Sequence, residues 1–171
     1  MAEQTETFPR AGFFRRLAAM IYDALVAVAV FMVAGILVTV VLILLLENAV
    51  LDKQGYQHSM EVIGQSHLYR GIIFAWSVAW VLGFFLWFWR NGGQTIGMRA
   101  WRLRLFSTDD RPLGYGRALL RLVCSLGGLG SLLVLLDFKH KQSLQDRLAG
   151  TEMLVLSKDA NHHKAWQDLQ G

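Results

Sequence analysis

Two apolar runs, Ala24 to Leu46 and Gly71 to Trp89, dominate this chain of 171 residues, the first with 23 residues free of charge and the second with 19. A bilayer's hydrocarbon core is about 30 Å thick and takes roughly 20 apolar residues to cross as a helix. The pair therefore predicts an integral membrane protein with two transmembrane helices. Composition agrees, with 54% hydrophobic and 18% charged residues where soluble domains carry about 25% charged. What lies outside the runs is short and divided, so the economical reading is a single membrane domain over 1–171, with a core at 11–157 and polar tails at 1–10 and 158–171.

A basic start before an apolar run also fits a secretory signal. Here the run after Arg10, Arg15 and Arg16 is longer than a signal's 7–15 apolar residues and ends in Leu44-Leu45-Leu46-Glu47-Asn48 without a small-x-small cleavage pattern. It reads as a retained span. Lysine and arginine outnumber aspartate and glutamate 17 to 13. That excess sets orientation. Three basic residues precede Leu17, Lys53 and Arg70 alone occupy the loop from Glu47 to Arg70, and six lie between Arg90 and Arg117. By the positive-inside bias the sparse loop faces outward and both termini are cytoplasmic, in a multi-pass protein of the plasma membrane, the inner membrane of a bacterium. The implied partners are the lipid bilayer and a second copy or another membrane protein. Nucleic acid fits poorly.

The second run is aromatic, and Trp87 and Trp89 abut Arg90 where an interfacial belt is expected. Trp76 and Trp80 share a helix face. A third apolar stretch, Leu122 to Leu136, would measure only about 22 Å as a helix, and Gly127-Gly128-Leu129-Gly130 interrupts it. Arg121 could snorkel at one end and Asp137 closes the other. A full crossing would carry the basic tail outside, so a broken or re-entrant helical hairpin is favoured. Between these runs the period changes: Trp101-Arg102-Leu103-Arg104-Leu105-Phe106 alternates apolar and basic residues as a strand with one covered face does. A lone strand leaves its ladder unpaired. Thr151 to Leu156 is the matching candidate, giving a small antiparallel cytoplasmic β-ribbon in an otherwise all-α membrane protein. Ser157 to Gly171 reads as a loose polar tail.

Ionisable residues at a membrane helix are expensive and by default functional hypotheses. Asp23 follows Arg16 by seven residues, on nearly one face and about 10 Å further along the axis. That is too far for a direct pair and leaves room for a third polar group. Asp23 is either a shallow residue near headgroups or a buried one needing a partner, and Arg15 and Arg16 also serve as positive-inside anchors. His58 and His67 are isolated loop residues, and Cys124 has no second cysteine to pair with, so neither a metal site nor a disulfide is expected. No cofactor motif is present. Paired carboxylates on one face, a serine elbow and a His-x-x-x-His spacing are all missing, so an enzyme is not expected.

Phe13-Phe14-Arg15-Arg16-Leu17-Ala18-Ala19-Met20-Ile21-Tyr22-Asp23 resembles the opening of the RDD family of small membrane proteins. Gly93-Gln94-Thr95-Ile96-Gly97-Met98-Arg99, continuing through Leu103-Arg104-Leu105 to Pro112 and Arg117-Ala118-Leu119-Leu120-Arg121, is similar to its central block. Gln142 to Thr151 is similar to its closing block. Carried over residue by residue, the resemblance places the family's arginine at Arg16 and its aspartates at Asp23 and Asp146. The chain departs from it at Gln145, where the family often has histidine. As to function, the resemblance implies transport, including cation–proton exchange, and no established catalytic chemistry. Two spans cannot enclose a path, so a transporter would be oligomeric. The alternative is a structural or assembly accessory protein without transport. Arg16, Asp23 and Asp146 are expected to converge on one polar site at the cytoplasmic end of the first helix, either lining a vestibule or pinning the tail to that helix.

Overall fold

Apolar runs with few helix breakers, flanked by polar loops, become the long helices seen in the computed structural model, which describes residues 8–108, 114–125, 130–131, 133–136 and 142–161. Helix α1 spans Phe13–Glu47 and α3 spans His67–Gly92, with a short α2 at Ser59–Gln65 between them. After α3 come α4 (Ile96–Ala100), strand β1 (Leu103–Ser107), α5 (Tyr115–Cys124), α6 (Leu133–Leu136), α7 (Leu144–Ala149) and strand β2 (Thr151–Val155). Both long helices outrun their apolar segments: α1 starts eleven residues before Ala24, and Arg16 and Asp23 are helical. Each is long and apolar enough to cross a membrane, and only 11% and 6% of their most apolar stretches are buried. A soluble core helix would be mostly buried.

Two compact units are distinguishable, Val26–Phe84 and the pair Met1–Leu25 with Phe85–Gly171. In the first, Gly35 of α1 faces Ser77 of α3. A Cβ on that glycine would lie 3.1 Å from Ser77 Oγ, a small-residue approach of the kind that lets helices associate in lipid. Ser77 satisfies its hydroxyl by donating to the Ile73 carbonyl at 2.8 Å. The loop after α1 carries α2, whose Val62 and Ile63 join Leu42, Leu46 and Tyr69 in a small core. The apolar pair at Val62-Ile63 was its signal. His58 and His67 are both exposed, His58 in the loop as expected and His67 as the first residue of α3.

In the second unit β1 and β2 pair antiparallel, with Leu103 opposite Val155 and Ser107 opposite Thr151. The expected ribbon is present, shortened because Trp101 and Arg102 form the turn after α4. Its other edge is covered too. Ala11 donates its backbone N–H to Met153 and Val155 donates to Pro9, at 2.8 and 2.9 Å, and Arg10 bridges Leu154. Ion pairing of Arg10 with Glu152 at 2.9 Å supports the contact. The segment read as a polar tail with an orienting charge thus protects a strand edge.

The alternation in β1 does not translate into one wet face: Arg104 is buried along with Leu103 and Leu105. The cause is the turn after α3. Gly93 adopts φ +63° and its carbonyl accepts from Leu105 N–H at 2.8 Å. A Cβ there would fall 2.7 Å from the Leu105 carbonyl oxygen, so only glycine lets this loop lie over the strand. Trp89 also departs from its expected interfacial place. It is buried in the core with Ala11, Ala19, Met98, Leu103, Leu105, Ala118 and Met153, whereas Trp87, about 200° round the helix, is exposed.

The stretch from Leu122 to Leu136 is not one element. Its first three residues end α5, which begins upstream at Tyr115, and Leu133–Leu136 form α6. Of the break expected at Gly127–Gly130, residues 127–129 lie outside the described residues. Gly130 donates its N–H to the Ser125 carbonyl at 3.0 Å. The tail expected to be loose begins with a turn that docks: Asn161 accepts from Gln94 at 3.0 Å and donates to the Arg99 carbonyl at 3.1 Å.

Candidate functional site

Ser143 is a natural helix N-cap, and with Asp146 three residues later it forms a capping box at the start of α7. The Ser143 hydroxyl accepts from Asp146 N–H at 3.3 Å, and the Asp146 carboxylate accepts from Ser143 N–H at 3.1 Å. That box holds one carboxylate in fixed geometry. Two guanidiniums then close on it. Arg16 of α1 donates to one oxygen and Arg121 of α5 to the other, each at 2.6 Å. Arg16 also donates to the Ala11 carbonyl at 3.0 Å and to Ser143 Oγ at 3.3 Å. Arg121 also donates to Thr151 Oγ1 at 2.7 Å, and its guanidinium lies 5.7 Å from the Trp89 ring centroid. Asp146 is 0% exposed and each arginine 2%.

Burial pushes the Asp146 carboxyl up, but the adjacent guanidiniums of Arg121 and Arg16 outweigh it and hold the group below its ordinary value of 3.8. A carboxyl depressed in the folded state contributes stability above its unfolded value and loses it as the pH falls through the folded one. The expected result is that the contribution of this cluster is intact from neutral pH down to about 4 and is lost below that. Thermal unfolding of the wild type and of Asp146→Asn between pH 3 and 7 checks it: the gap between the two should narrow only at the acid end.

Asp23 is bound elsewhere. Its two oxygens accept from the Thr95 hydroxyl and from Gly97 N–H, the latter at 2.8 Å. Thr95 is the N-cap of α4, its hydroxyl accepting from Met98 N–H at 3.3 Å. Gly97 must be small because a Cβ would meet the Ala19 carbonyl and sit 2.9 Å from Asp23 Cγ. Asp23 thus fastens the start of α4 to α1. The structure brings Arg16 and Asp146 together but not all three residues: among the described residues Asp23 bonds to neither of the others. The reason is axial distance, since Asp23 lies two turns along α1 from Arg16 and reaches the free N–H groups of α4 first.

Sequence reasoning missed Arg121, Thr95 and Thr151. Arg121, read as a residue snorkelling outward, points inward. The available signal was its spacing of three from Ala118, which puts both on the buried face of α5. Ser-x-x-Asp at Ser143 was likewise a readable capping signature. Gln145, beside the cluster, donates to Ser131 Oγ at 2.9 Å, and Ser131 contacts Met20 Sδ at 3.7 Å. Among the described residues no group of three or more His, Cys, Asp or Glu side chains is placed to hold a metal ion.

The model of the RDD family matches residues 10–150, a stretch that contains Arg16, Asp23 and Asp146. The chain belongs to the RDD family. No curated protein and no solved structure matches it. In this RDD protein Arg16 and Asp146 form one buried ion pair completed by Arg121, and Asp23 is a separate clasp.

Proposed function

We propose that this RDD protein is an integral plasma-membrane protein of structural or accessory kind, both termini cytoplasmic, whose basic end is a rigid joint engaging a second copy or another membrane protein. Support for membrane insertion comes from the exposure of apolar side chains along both long helices. Leu25, Val28, Met32, Ile36, Leu37 and Leu44 are all more than half exposed, a surface that water disfavours and lipid accepts. The observation that carries the accessory reading is the saturation of Asp146. Its oxygens are occupied by Arg16, Arg121 and the α7 cap, and no exposed surface is left for cargo. Such a cluster ties α1, α5 and α7 together.

A second reading, cation–proton exchange by an oligomer, is favoured by Asp23. This carboxyl lies in a candidate span and is held by a hydroxyl and an amide N–H, with no cation among the described residues bonded to it. A carboxyl so placed can take up and release a proton. Proton and sodium flux into liposomes holding the purified full chain at several protein-to-lipid ratios separates the two. The accessory reading expects flux no greater than in empty vesicles. Flux that rises with protein density and disappears in Asp23→Asn would overturn it in favour of exchange.

A further inference from the structure

We propose that the groove between the start of α1 and the end of β2 binds the phosphate of an anionic phospholipid headgroup through Arg15 and Arg102. The inference rests on the membrane reading above. The groove has a volume of about 450 Å³ and is lined by Phe8, Arg15, Arg102, Leu156 and Ser157 among others, with no carboxylate in its described lining. That volume falls in the range of small-molecule sites, about 300–1,000 Å³. Arg10, Arg16, Arg117 and Arg121 of this unit are engaged by carboxylates, hydroxyls or carbonyls. Arg15 and Arg102 are different: among the described residues neither guanidinium has a hydrogen bond or an ion pair. Two arginines lining one largely apolar groove offer planar forks of the kind that bind the oxygens of a phosphate.

Depth favours a lipid over a free anion. Tyr22 and Trp101 are both exposed and meet edge to face with ring centroids 6.4 Å apart, as amphipathic rings do at headgroup level. Arg102 follows Trp101 directly. Arg15 precedes Tyr22 by seven residues, nearly the same face of α1 and about 10 Å along it. Arg15 therefore belongs on the polar side of the ring pair, where phosphates lie, and Arg102 lines the same groove. Exposed Phe14 and Leu17 flank Arg15 and offer acyl chains a surface that a free phosphate would not use.

The test measures binding of phosphatidylglycerol and of phosphatidylcholine to the full-length protein in detergent by native mass spectrometry. Wild type should prefer phosphatidylglycerol. Arg15→Gln combined with Arg102→Gln should weaken that lipid about 30-fold, at roughly 1 kcal/mol per arginine, and leave phosphatidylcholine unchanged, while Arg15→Lys keeps most of the preference. Should the double variant fail to fold, Arg15→Glu at an exposed position carries the same test. Unchanged selectivity in these variants would overturn the proposal. Displacement of the lipid by equimolar inorganic phosphate would do so as well, marking a free-phosphate site. Carbonate extraction of wild-type membranes keeps the two readings apart: protein released into the aqueous phase refutes membrane insertion, whereas retained protein without headgroup preference refutes only the groove.

Discussion

Replacing Asp146 with alanine is expected to lower the unfolding free energy by about 3–5 kcal/mol, the range for breaking a buried ion pair by removing one partner. The size follows from what remains. Arg16 and Arg121 both donate to this carboxylate at 2.6 Å and both are 2% exposed, so its loss leaves two guanidiniums facing each other away from water. The α7 cap loses its acceptor for Ser143 N–H at the same time. Thermal or denaturant unfolding in detergent reads the loss, and a double-mutant cycle of Arg16→Met with Asp146→Ala reads the coupling. Because the second removal takes away a charge already stranded by the first, the double variant should be less damaged than the sum of the singles. A shift for Asp146→Ala within about 0.5 kcal/mol, the ordinary surface range, would show that the cluster is no joint.

Valine at Gly97 should cost about 3 kcal/mol or more, combining overpacking with the loss of a buried hydrogen bond. A Cβ there meets backbone, the Ala19 carbonyl, and lies 2.9 Å from the Asp23 amide nitrogen. Backbone cannot rotate away as a side-chain tip can, so α4 must move off α1, and Gly97 N–H then leaves the Asp23 carboxylate. Gly116→Ala in α5 is the control, since nothing lies within 4 Å of its would-be Cβ, and it should be neutral or slightly stabilising. Equal melting temperatures for Gly97→Val and wild type would mean that the two helices are not clasped here.

The difference between these glycines could not be read from the chain. Both sit among polar and apolar neighbours, and only the fold presses one of them against another helix.

What the sequence determined by itself is whatever depends on local period and length. Uninterrupted apolar runs specify α1 and α3 because a helix satisfies its own backbone whatever surrounds it, and alternation over Leu103 to Phe106 specifies a strand whose ladder needs a partner, found at Thr151–Val155. Three blocks of residues in order were enough to reach the family. What the tertiary structure decided is partner choice. Arg16 and Asp23 share a helix face, yet one is taken by α7 and the other by α4, because each charged group bonds to whichever donor or acceptor packing brings within about 3 Å. Arg104 and Arg121 look solvated by residue type and are buried because distant segments fold over them. Local pattern sets which elements form; the contacts between segments, separated here by up to 142 positions along the chain, set which charges meet.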